Sequence, residues 1–252
     1  MHDMADRLFA DTTLAALYDS FCPRGRRDDF DFYMPMVMAA EAVLDVGCGT
    51  GAMLHEARDA GHQGRLCGLD PAFGMIEQAR KRSDIEWVLG DLTSCAWGAE
   101  FDLVVMTGHA FQVLIEDADL RTSLTAIAAA LTPSGVFAFE TRNPKAREWE
   151  RWKPEHAALV TDPDGRTVRM SRQIEAPFDG NVVSFSHTFS SPDWDQVEVS
   201  HSTLRFIEAE LLARFLAEAG LEIEAQFGDW DRSPLTDASP EIITLARLAE
   251  KA

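Results

Sequence analysis

The sequence predicts an α/β fold, doubly wound, with an antiparallel β segment inserted late in the chain. Three observations carry this. Between residues 43 and 140, short apolar runs of strand length alternate with stretches of helical period, the pattern of parallel strands joined by crossover helices. The first apolar run, Val43, Leu44 and Val46, stops at Gly47, Gly49 and Gly51, so a strand buried on both faces passes through a glycine loop into a helix N-terminus. From 157 to 206 the period changes to two, punctuated by Asp164-Gly165, Asp179-Gly180 and Pro192-Asp193, which are hairpin signals.

Ahead of the first strand, helical pieces are expected at 13–21 and 31–40, separated by Pro23, Gly25 and the basic cluster Arg24, Arg26 and Arg27. That cluster either binds an anionic group or forms a solvated loop on an acidic body, and the second reading is preferred. Phe30, Phe32 and Tyr33 either line a lid or pack. After the glycines, 52–60 reads as a helix with Gly61 past its end. A second strand at 65–69 ends in Asp70, and Pro71 opens a helix over 72–81 with Met75, Ile76 and Ala79 at helical spacing. Residues 85–89 form a third strand tipped by Gly90-Asp91-Leu92. The fourth, 101–106, runs into Thr107-Gly108-His109-Ala110-Phe111-Gln112. A helix over 119–131 is stopped by Pro133 and Gly135, and the fifth strand, 136–140, ends at Thr141-Arg142-Asn143-Pro144. In the inserted segment Val183, Phe185, His187 and Phe189 share one face, as do Val197, Val199, His201 and Thr203. Such a face covers a site or pairs with a second copy of the chain. A helix over 208–219, stopped by Gly220, and strands at 221–227 and 241–246 complete the chain. The loop between those strands, with Asp229, Trp230 and Asp231, reads as an exposed acidic connection.

The glycine spacing bears on the ligand. A dinucleotide fingerprint is G-x-G-x-x-G, but Gly47, Gly49 and Gly51 give G-x-G-x-G, with Ala52 at the third fingerprint position, which disfavours pyrophosphate. Asp70, about 20 residues further on, is an acid at a strand tip that can accept from ribose hydroxyls. Together these indicate a nucleoside ligand. At VLDVGCGTG and GLDPAFGMIEQAR the sequence resembles the first and second motifs of the class I S-adenosylmethionine (SAM)-dependent methyltransferases, over residues 43–141.

The resemblance implies a Rossmann-like seven-stranded sheet and SAM as cofactor. It places Asp45, Gly47, Cys48, Gly49, Thr50 and Gly51 of the first motif, Asp70, Pro71 and Met75 of the second, and Thr107 around that cofactor. It sets Gly90, Asp91 and Leu92 beside the adenine. It also gives the Tyr18-Asp19 pair a role, with Tyr18 approaching the methionine end. The inserted segment resembles the accessory sheets of small-molecule N-methyltransferases, including amino-sugar enzymes. The division expected is therefore a cofactor-binding core with a helical lid over 1–154, a β insertion over 155–206, and the closing helix and strands over 207–252.

In an open parallel sheet the ligand crevice lies beyond the carboxyl ends of the strands. His109, just past the fourth strand, is accordingly the candidate general base, the alternative being a group that only shapes its loop. Tyr33, Phe111, Arg142, Asn143 and His187 are the candidate substrate residues; Arg142 and Asn143 either orient a polar substrate group or cap their loop. The net charge of −19 over 252 residues opposes attraction to nucleic acid or anionic membrane, so a small molecule is the expected partner. Cys22, Cys48, Cys67 and Cys95 are scattered, without disulfide or metal spacing, which fits a reducing, cytoplasmic setting with no metal. The N-terminal stretch lacks the continuous apolar core of a signal peptide or membrane span. The expected activity is methyl transfer from SAM to a small-molecule acceptor, an amine nitrogen among the candidates. A non-catalytic SAM-binding regulator and an NAD-dependent oxidoreductase are the rivals.

Overall fold

The computed structural model describes residues 5–162, 164–176 and 178–250; the first four residues of the expected core lie outside them. Three four-residue helical turns open the chain, α1 (Arg7–Ala10), α2 (Thr12–Ala15) and α3 (Tyr18–Phe21), followed by α4 (Asp28–Ala39). The single helix expected at 13–21 is thus broken. Asp11 contributes to the break, because its side chain accepts from the backbone N–H groups of Thr13 and Leu14 and starts α2 afresh.

The core follows as β1 (Ala42–Val46), α5 (Ala52–Asp59), β2 (Arg65–Asp70), α6 (Phe73–Ala79), β3 (Glu86–Leu89), β4 (Phe101–Met106), α7 (Asp117–Ala130) and β5 (Leu131–Arg142). The second sheet is β6 (Ala158–Thr161), β7 (Thr167–Ile174), β8 (Val182–Ser190) and β9 (Glu198–Arg205), and α8 (Ala209–Glu218), β10 (Leu221–Phe227) and β11 (Glu241–Leu248) close the chain. The main sheet has seven strands in the order β10-β11-β5-β4-β1-β2-β3. β11 runs antiparallel to both its neighbours, while β5, β4, β1, β2 and β3 run parallel.

Period-two alternation divides the strand side chains between two cores. Leu44, Val46, Val104, Met106, Phe137 and Phe139 pack on Leu120, Leu124 and Ile127 of α7 and on Leu212, Phe215 and Leu216 of α8. Val43, Leu103, Val105 and Ala138 face the other way, onto Phe32, Tyr33 and Val37 of α4 and Met53 and Leu54 of α5. Full burial of each such side chain stabilises by about 1.5–3 kcal/mol. Trp230 joins this second core, edge-on to Phe32 and Tyr33, while Asp231, Arg232, Pro234, Thr236 and Asp237 of the same loop are exposed as expected. β5 begins at Leu131, directly after α7 and ahead of Pro133 and Gly135. Its register to β4 shifts between Phe101 and Leu103, which accommodates a proline with no N–H to give.

The β6-β7-β8-β9 sheet is antiparallel throughout. Val183, Phe185, His187 and Phe189 are buried together as expected. The face predicted for β9 is the wrong one: Val197 is 55% exposed and His201 lies outside, while Ser200 and Ser202 are buried. Cross-strand register is the cause, since His187 pairs with Ser200 and Phe185 with Ser202, and directly opposed residues point to the same side. The inner face is covered within the chain, by Leu8, Leu14, Leu17 and Phe21 at one end and Trp149 and Trp152 at the other. It offers no free apolar surface to a second copy among the described residues.

Candidate functional site

Where β1 ends, the chain turns through Gly47, Gly49 and Gly51, all with left-handed φ of 74°, 56° and 76°, a region costly for residues with a Cβ. The loop is tightly packed behind: a Cβ on Gly51 would lie 2.3 Å from the Trp87 ring. In front it is open, for a Cβ on Gly49 would meet nothing within 4 Å. A cavity of about 40 Å³ lies there, lined by Tyr18, Arg27, Asp45, Gly47, Cys48, Gly49, Thr50 and Thr107 among others. Seven of the residues expected at a cofactor therefore converge on one site.

The others do not line it. The Asp70 carboxylate is buried and accepts from the backbone N–H of Gly49 at 2.9 Å and of Ala72 at 2.8 Å, so it braces the glycine loop from β2. Asp91 accepts from Thr93 and Ser94 and closes its own turn. Met75 is packed with Ala15 and Ala72, and Leu92 belongs to the larger core. Pro71 is exposed, and Gly90 is partly so.

Sequence reasoning missed Arg27, which was assigned to a solvated loop. Its guanidinium is only 17% exposed, donates to both oxygens of Asp29 and lies 4.2 Å from the Phe30 ring centroid. Placement of a long side chain depends on how α4 docks, which local pattern does not encode. Asp45, at the end of β1, has Oδ1 buried without a hydrogen-bond partner. Burial raises its carboxyl to about 7, Arg27 opposing and Asp70 and Glu140 adding to the rise. An unpartnered carboxylate oxygen and a guanidinium in one cavity suit the ammonium and the carboxylate of an α-amino acid, which is the methionine end of SAM. Thr50 donates to Asp19 at 2.7 Å, which ties α3 to the glycine loop.

A second polar cluster adjoins the cavity at the tips of β4, β5 and β11. Its centre is His109, held at φ 65°, with its backbone N–H donated to Glu140 Oε1 at 2.7 Å. Tyr33 donates to the other Glu140 oxygen, also at 2.7 Å. Glu140 is fully buried, and that burial lifts its carboxyl to about 7 against the pull of His109. The His109 ring contacts both oxygens of Glu241, at 3.0 and 3.1 Å through Nε2. An ionised carboxylate only accepts, so Nε2 is the donor to Glu241. Glu241 was not foreseen, being 132 residues away in the chain.

The candidate substrate residues separate. Tyr33 is fully buried and Phe111 stacks on Phe139 at 4.4 Å, so both are core. Asn143 accepts from Lys145 N and donates to the carbonyls of Thr236 and Ser239; it staples loops. Arg142 donates to Gln112 at 2.8 Å and pairs with Glu148 at 2.7 Å, so its guanidinium is already engaged. His187 lies on the inner face of the second sheet, behind Arg172.

A family model described as a methyltransferase domain matches residues 43–135. The cypemycin N-terminal methyltransferase of a Streptomyces species is 28% identical over 207 residues, 81% of each chain. The CcbJ methyltransferase of Streptomyces caelestis superposes with a TM-score of 0.77 at 18% identity, covering 99% of this chain and all of that one. SAM-bound CalS10, an amino pentose methyltransferase from Micromonospora echinaspora, gives 0.67 at 25% identity over 92% of this chain and 97% of its own. An NAD-dependent oxidoreductase does not account for a methyltransferase domain matched over the glycine loop. The methyltransferase domain, the relatives and the structural neighbours together support a class I SAM-dependent methyltransferase, an enzyme with SAM as its cofactor.

Proposed function

We propose that the enzyme methylates the nitrogen of a small-molecule amine, with His109 as the base. The observation that carries this is the His109–Glu241 pair at the tip of β4, two residues from Thr107 of the cofactor cavity. SAM supplies an electrophilic methyl group on a sulfonium. His109 takes up at Nδ1 the proton that the methylated nitrogen releases, and Glu241 holds the ring in the required tautomer and stabilises its charge. Glu140 fixes the His109 backbone from below. Asp45 and Arg27 hold the amino-acid end of the cofactor, Gly49 and Thr50 frame it, and Tyr18 closes over it. Asp70 acts through the glycine loop it braces. The four-stranded sheet shuts water out of the site, as alignment and exclusion of water supply most of the catalysis in a displacement of this kind.

An amine nucleophile is also what the printed names of the cypemycin N-terminal and amino pentose enzymes specify for those proteins. The strand pattern supports dividing the chain into a core of 1–154 and 207–252 and an insertion of 155–206. Four scattered thiols and a net charge of −19 support a cytoplasmic enzyme with a small-molecule partner and no nucleic acid. Incubation with methyl-labelled SAM and a panel of amines, alcohols and carboxylic acids tests the proposal. Label is expected in amines; label confined to oxygen acceptors refutes it.

A further inference from the structure

The inner face of the second sheet is apolar at both ends and charged in the middle. Val168, Val183, Phe185 and Phe189 are buried there, yet Arg172 of β7 sits among them, directly opposite His187 of β8 in the ladder. The guanidinium is bracketed by aromatic rings, 4.8 Å from the centroid of Trp152 and 5.3 Å from that of Phe185. Its Nε donates to His187 Nε2 at 3.1 Å. No carboxylate among the described residues pairs with it, and Nη1 and Nη2 have no hydrogen-bond partner there. By contrast, Arg142, which also lies over Trp152 at 5.4 Å, is already matched by Glu148 and Gln112.

A largely buried guanidinium with no carboxylate in hydrogen-bond reach is costly; Glu148 acts on it only at longer range, and the two aromatic rings offset part of that cost. His187 does not supply the missing charge. Burial, with Arg172 beside it, lowers its pKa to about 3, so it is a neutral acceptor that fixes Nε and leaves the forked Nη edge pointing elsewhere. That edge presents paired donors at the spacing of a carboxylate or phosphate. The charges of Arg142 and Glu148 act on Arg172, and it is within electrostatic range of Cys22 and of Tyr18, a residue that lines the cofactor cavity.

We propose that the methyl acceptor carries an oxyanion, a carboxylate or a phosphate, in addition to its nucleophile, and that the Nη edge of Arg172 binds it under Trp152. This rests on the reading of the protein as a small-molecule methyltransferase and narrows its substrate class. A chain of net charge −19 repels anions at long range, so a local desolvated arginine is what admits one. His187 is a positioning residue for Arg172.

The test uses the full-length enzyme saturated with S-adenosylhomocysteine, titrated calorimetrically with acetate, inorganic phosphate and pyrophosphate at millimolar concentration. At least one should bind, carboxylate against phosphate identifying the source. Arg172→Met should weaken that binding about tenfold or more, Arg172→Lys should restore part of it, and His187→Phe should weaken it without removing the charge. Because Arg172 has no ion partner to lose, Arg172→Met should be at least as stable as the parent in denaturant. A parent that binds no oxyanion, an Arg172→Met variant that binds as tightly, or one that is markedly destabilised overturns the proposal. S-adenosylhomocysteine affinity is measured first in the parent; failure there defeats the methyltransferase reading, whereas failure of the oxyanion alone defeats only this inference.

Discussion

Replacing Asp45 by Asn probes the cofactor cavity at its buried carboxyl. Burial lifts this carboxyl from 3.8 to about 7, net of the opposing Arg27. That rise of about three pKa units corresponds to about 4 kcal/mol at 1.36 kcal/mol per unit. The folded protein holds the proton more tightly than the unfolded chain does. The contribution to stability is therefore complete below the unfolded pKa near 4 and is lost as pH rises through about 7. Above about 7 the carboxylate is ionised with Oδ1 unpartnered, and an ammonium bound beside it restores the lost interaction. Binding of S-adenosylhomocysteine should accordingly tighten about tenfold per pH unit up to about pH 7 and then level off. Asp45→Asn should abolish that slope. At about pH 8 its affinity should be about tenfold to a hundredfold weaker, the value of a hydrogen bond to a charged group. With no charge to bury, its stability at that pH should match or exceed the parent's. Calorimetry across the pH range, with urea unfolding on the same samples, measures both quantities. Glu140 titrates in the same region, so the comparison of variant with parent carries the result. An Asn variant with the parental pH slope refutes the assignment of Asp45 to the cofactor's ammonium.

His109→Ala should lower kcat by about a hundredfold or more with cofactor affinity unchanged, and Glu241→Gln by about tenfold; parental kcat in both leaves orientation and exclusion of water as the whole mechanism. Gly51→Ala forces a Cβ into the Trp87 ring from a left-handed backbone and should cost about 2–4 kcal/mol in urea unfolding. Unchanged stability in that variant would show that the loop is not wedged against β3.

Local pattern determined a large share of this protein. Short-range signals sufficed for β1 and the glycine loop, because an apolar run and residues tolerant of positive φ are properties of consecutive positions. The hairpins at Gly165 and Gly180 and the helix stops at Gly61 and Gly220 were legible for the same reason. The motifs that mark the family lie in that same continuous stretch. Choices between two uses of one side chain were not legible. Arg142 and Asn143 are adjacent in sequence, yet one pairs with Gln112 and Glu148 and the other staples loops to Thr236 and Ser239. Asp70 spends its oxygens on the glycine loop rather than on the cavity. Arg27 turns inward with the docking of α4 on α5, Glu241 reaches His109 because β11 pairs with β5, and the buried face of β9 follows from its register with β8. Each depends on which distant segment arrives alongside, and that is set by the packing of whole elements, whose energy is shared over many contacts and written at no single position in the sequence.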